Sequence, residues 1–143
     1  MKRLAISMMV FCSVMATSVA AWCGDNGNGT VTVNGLVWMK DAGCMGNMNW
    51  YDATARAKTV ADGQCGLNDK SKPDDWRLPT VDELKAIYAS KSQFRNVQGD
   101  GYWSSSTYAG DSTVAWGVYV VGGLVKVGGK GFNHHVWPVR GGH

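Results

Sequence analysis

At 143 residues, with 17% of them charged and a formal net charge of +3, the chain is long enough for one hydrophobic core and too short for two. The positive excess belongs to the amino terminus: setting Lys2 and Arg3 aside from the 14 basic residues leaves 12 against 11 acidic ones, a net of +1. Such a balance removes the case for nucleic-acid binding, which needs a basic patch.

Residues 1–20 read as an export signal. Lys2 and Arg3 precede a mostly apolar run over residues 4–14, and Ser18-Val19-Ala20 offers small side chains to a signal peptidase before Ala21. A retained amino-terminal anchor is the alternative. The run is too short to span a bilayer, so no stable membrane insertion is expected after cleavage, and the destination is periplasmic, cell-surface or extracellular. Bulky Trp22 ahead of Cys23 speaks against a lipid anchor there. Residues 21–143 then form one domain.

Cys12 leaves with the signal, and Cys23, Cys44 and Cys65 remain. An oxidising compartment makes one disulfide the expectation. Cys44 and Cys65 flank a predicted helix, so their bridge is favoured over either pairing with Cys23, which is then free or intermolecular. No cysteine forms a close pair with another cysteine or a histidine, so a cysteine-held metal is a poor reading; Asp25 alone makes residues 25–29 a plain turn ahead of a calcium loop, calcium dependence is left open, and no cofactor is assigned.

After a turn at Asp25-Asn26-Gly27-Asn28-Gly29, β-branched residues 30–33 and apolar residues 36–39 enclose Asn34-Gly35. That pair predicts a β-hairpin, because both central residues must take positive φ. Asn49 can cap a helix over residues 50–62 with Ala53, Ala57 and Val60 on its buried stripe and Gly63 ending it. Thr80 and Glu83 fit a capping box for a second helix with Leu84, Ile87 and Tyr88 inward. Residues 102–104, 114–120, 124–127 and 136–139 read as strands, with Gly122-Gly123 turning a tight hairpin. Pro138 belongs where no ladder amide is needed. The outline is α+β.

Gly29-Thr30-Val31-Thr32, Gly35-Leu36-Val37-Trp38, Cys65-Gly66-Leu67, Asp75-Trp76-Arg77-Leu78-Pro79-Thr80, Glu83-Leu84, Tyr102-Trp103-Ser104-Ser105-Ser106 and Val136-Trp137-Pro138-Val139-Arg140-Gly141-Gly142 follow one another in an order that resembles the Lcl C-terminal domain family, named for a bacterial collagen-like adhesin. The resemblance implies a C-type lectin-like fold, similar also to formylglycine-generating enzymes: two helices on a small twisted antiparallel sheet, with the amino-terminal hairpin near the terminal strand. It further implies surface display and adhesion. The fold's enzymatic relatives use a reactive cysteine pair in the carboxyl-terminal half, and this chain has no cysteine after Cys65.

Trp76, Arg77, Leu78, Pro79, Thr80 and Glu83 are read as structural: a buried indole, an arginine tying a carboxylate or carbonyls between helix and sheet, and the cap. Trp38 and Trp116 lie in apolar strand patterns and default to core. The aromatic and hydroxyl-rich segment 102–108 suits sugar recognition, and Trp103, Ser105, Tyr108, Asp111, Asn133 and His134 are expected along one rim of the sheet. Lys126, Lys130, Asn133, His134 and His135 form a second cluster that could hold an anionic polysaccharide. Ser104, Ser105 and Ser106 lack nucleophile-elbow spacing, so no catalytic residue is assigned. The sequence therefore predicts a non-enzymatic module that binds glycan or another surface polymer. A subunit of an extracellular protein assembly is the alternative, and a hydrolase comes last.

Overall fold

The computed structural model describes residues 10–11 and 22–142; the expected cleavage point before Ala21 and the Cys23 side chain, with its pairing, lie outside the described residues. β1 (Val10–Phe11) pairs antiparallel with β2 (Trp22–Asp25), and β2 with β3 (Thr30–Val33). β3 turns into β4 (Leu36–Met39) through Asn34 and Gly35 at φ 52° and 77°, the positive pair that the hairpin requires.

After β5 (Asn47–Met48), helix α1 (Trp50–Lys58) starts where the Asn49 side chain accepts the Asp52 amide at 2.9 Å. It buries Ala53 and Ala57 but stops short of the expected end at residue 62. The Thr59 and Val60 amides reach back only three residues, to Arg56 and Ala57, at a β-branched pair poorly suited to prolonging a helix. Gly63 serves the following turn instead, its amide donating to the Leu67 carbonyl.

The capping box forms at α2 (Val81–Ile87): the Thr80 hydroxyl accepts the Glu83 amide while the Glu83 carboxylate accepts the Thr80 amide. Leu84 and Ile87 are buried, whereas Tyr88, expected inward, is 41% exposed. The chain tightens there into a 3₁₀ turn (Tyr88–Gln93), which rotates Tyr88 off the helix's inner face and under Lys91.

The remaining strands are β6 (Tyr102–Thr107), β7 (Val114–Tyr119), β8 (Leu124–Gly129), β9 (His134–His135) and β10 (Val139–Arg140). The expected single antiparallel sheet is two sheets, ordered β1-β2-β3-β4-β10 and β5-β9-β6-β7-β8, with one parallel contact, Tyr102 to His135. Of residues 136–139, read as one strand, 136–138 instead carry the chain from the second sheet to the first, and only Val139 is strand, in β10. Pro138 sits in this crossing, where its missing amide costs no ladder bond and its carbonyl accepts the Met39 amide.

That crossing places Trp137 between the sheets. Its ring meets Trp38, Phe94 and Tyr102 at centroid distances of 5.3, 4.7 and 5.3 Å, and its indole donates to the Met39 carbonyl. Trp38, Trp76, Trp103 and Trp137 are each at most 1% exposed. Each such ring removes about 150–250 Å² from water, a transfer term of about 4–6 kcal/mol apiece. The hairpin meets the terminal strand as expected, Trp38 opposite Val139 and Val37 opposite Arg140. The fold is α+β, with two helices and mostly sheet. Among the described residues no helix is long and apolar enough to cross a membrane.

Candidate functional site

The Cys44–Cys65 disulfide forms, joining the loops before α1 and after it. Arg77 holds Glu83 through two guanidinium bonds of 2.8 and 2.9 Å and donates further to the carbonyls of Leu78 and Gly141. The structural motif thus pins the start of α2 to the carboxyl-terminal end of the chain. Leu78 is buried at 3% and Pro79 accepts the Ser105 amide, tying the motif to β6.

The six residues expected along one rim are split between two faces of the second sheet. Trp103 is opposite Gly117 in register, while its neighbour Trp116 is opposite Val127 and therefore points the other way. Trp103 is fully buried, its indole donating to the Met48 carbonyl, so it offers no ring to a ligand. His134 covers it edge-on at 4.5 Å and fits against Gly101 and Gly128, where an added Cβ would lie 3.0 Å from an imidazole nitrogen. Burial lowers the His134 pKa below its ordinary value, against the opposing pull of Asp100 and with a smaller push from His135.

Of the second cluster, Lys126 and Asn133 are exposed and His134 and His135 half-buried, but Lys130 is withdrawn from solvent. Lys130 is 7% exposed, and its ammonium donates to Thr107 Oγ1 and the Ser112 carbonyl while lying 4.1 Å above the Trp50 ring. This amine fastens the 108–113 loop to the start of α1 through two hydrogen bonds and its seat over the indole. Ser104 is likewise committed, donating to the Trp116 carbonyl, and the Ser106 hydroxyl accepts the Val81 amide.

Tyr108 stands on the opposite face, beside a residue that the sequence pattern assigned to the core, and Asp111 follows it in the same turn. Trp116 is only part-buried, and the Tyr108 ring meets it at 5.5 Å with planes 83° apart. Tyr108 is 38% exposed and Val127, across from Trp116, is 45% exposed. The next same-face position, Gly129, is covered by the ring of Phe132, which is 72% exposed. In the turn after Tyr108, Asp111 Oδ1 takes both the amide and hydroxyl of Thr113, bonds that together with the pull of Lys130 lower its pKa and keep it ionised. Asn133 is exposed beside Phe132, and Ser105 is exposed farther along β6. Alternation along residues 114–119 carried the signal for Trp116, since Trp116 and buried Ala115 and Gly117 must face opposite ways.

A family model of the Lcl C-terminal domain matches residues 29–140. The chain belongs to that family. The match spans both sheets from β3 to β10, both helices and the disulfide, so the aromatic surface lies inside the Lcl C-terminal domain. No curated protein matches the chain.

Proposed function

We propose that this Lcl C-terminal domain is a non-enzymatic binding module, secreted or surface-exposed, that recognises glycan or polysaccharide in adhesion. The observation that carries the reading is the surface corner where the Tyr108 ring meets part-buried Trp116, on the loop that also carries Asp111. Aromatic faces cover sugar C–H groups while a carboxylate orients hydroxyls, and exposed rings rimmed by polar groups mark interaction sites. The pairing of the hairpin with the terminal strand supports a C-type lectin-like architecture. The engagement of the Ser104 and Ser106 hydroxyls with backbone supports a role without catalysis. Glycan and polysaccharide arrays probed with the wild type and Trp116→Ala test this. Binding that the variant loses while its circular dichroism stays native is expected, and blank arrays for the folded wild type reject it.

A second reading, a subunit of an extracellular protein assembly, draws on β8. It is the edge strand of its sheet and exposes Leu124 at 50% and Val127 at 45%. A monomer in native size analysis, with and without reductant, counts against it.

A further inference from the structure

Resting on the glycan reading above, we infer that the Tyr108–Trp116–Phe132 surface takes an uncharged saccharide, and that Gly110 sets its ring geometry as a positioning residue. Four cations among the described residues lie over aromatic rings: Lys91 over Tyr88, Lys126 over Tyr119, Lys130 over Trp50 and Arg140 over Trp76. None lies over Tyr108, Trp116 or Phe132. Lys126 is opposite Gly117 and belongs to the other face of the sheet, and the Lys130 ammonium is enclosed. The loop that follows Tyr108 carries one charge, Asp111, which the nearby Lys130 offsets, so this surface offers no surplus cation to sulfate or carboxylate groups, and no hydrogen bond engages the Asp111 Oδ2. Recognition therefore rests on ring contact and hydrogen bonds to neutral hydroxyls.

The two rings of the corner are perpendicular, so one can lie along a sugar's face while the other meets its edge. Gly110 makes this arrangement fit: a Cβ there would lie 2.7 Å from Cε1 and 3.2 Å from Oη of Tyr108. Gly110→Ala therefore displaces the ring without deleting it, and the atoms that must yield are the far end of an exposed side chain. Fold integrity is retained while the corner opens.

The experiment titrates the whole chain with neutral hexasaccharides of glucose and of N-acetylglucosamine, and with sulfated and uronate oligosaccharides, at about 50 mM and about 500 mM sodium chloride. The expected result is binding of a neutral probe whose Kd moves by less than about twofold with salt. Gly110→Ala and Phe132→Ala, each checked for native thermal unfolding, should weaken that binding by about fivefold. Binding confined to the sulfated or uronate probes and lost in high salt overturns this inference and leaves the glycan reading standing. Neutral binding unmoved by either variant overturns the assigned surface. No binding to any probe overturns both.

Discussion

Replacing Arg77 with methionine, which keeps the aliphatic stem and removes the fork, isolates the tie between α2 and the chain's carboxyl-terminal end. The two guanidinium bonds to Glu83 are charge-assisted, and the side chains are 27% and 17% exposed, so water screens them only in part. A hydrogen bond to a charged group contributes about 1.5–3 kcal/mol net, and removing one partner of a buried ion pair costs about 3–5 kcal/mol. With the partial exposure, and with the Gly141 carbonyl also losing its donor, Arg77→Met should cost about 3 kcal/mol. Glu83→Gln keeps an acceptor for the Thr80 amide and should cost about 1.5 kcal/mol, with the double variant near 3 kcal/mol rather than the sum. Urea unfolding with the disulfide intact reads this as a midpoint shift of about 2 M for Arg77→Met, taking m near 1.5 kcal/mol/M. Acid adds a second signature. Burial pulls the Glu83 carboxyl up, but the bonds from Arg77 and Thr80 outweigh it and hold the group below its ordinary 4.5. The pair's contribution is thus full above about pH 4.5 and fades as pH falls through the lower folded value, a slope that Arg77→Met should flatten. A midpoint shift under about 0.5 M, or strictly additive losses, would falsify the view that the pair fastens the helix start.

Two further outcomes follow from the same geometry. The Cys44–Cys65 bridge closes a separation of 21 residues, so the Cys44→Ala, Cys65→Ala double variant should lose about 3 kcal/mol in chemical denaturation; an unchanged midpoint contradicts the entropic account. His134 has its folded pKa lowered by burial, so the unfolded chain takes up the proton first. Stability should therefore be full above about pH 6.5 and fall as pH drops below it, and His134→Gln should remove that part of the slope in melts taken at stepped pH. Wild type and variant with identical pH profiles would contradict the packing of His134 against Gly101 and Gly128.

The turn and the helix starts were legible in the chain, whereas the end of α1 and the turn of Tyr88 out of α2 were not. Asn34-Gly35 specifies the positive-φ turn by itself, and Thr80 with Glu83 specifies a helix start, because each device is completed within four residues. Arg77 was readable as a tie from its place before that cap, and the ordered motifs carried the family.

Assignment of faces was decided only in three dimensions. Trp103 and Trp116 look alike in sequence, each an aromatic in a strand pattern, yet Trp103 is sealed under His134 and Trp116 stands beside Tyr108 at the surface. The register of β6 on β7 put them on opposite faces, and α1, held to the β8–β9 loop by the bond from the Trp50 amide to the Lys130 carbonyl, determined where that lysine's charge is spent. Strand alternation states that neighbours diverge, but which side becomes interior depends on what distant segments lay against it. Backbone turns and caps are settled by neighbouring residues; exposure is settled by the partner across the fold.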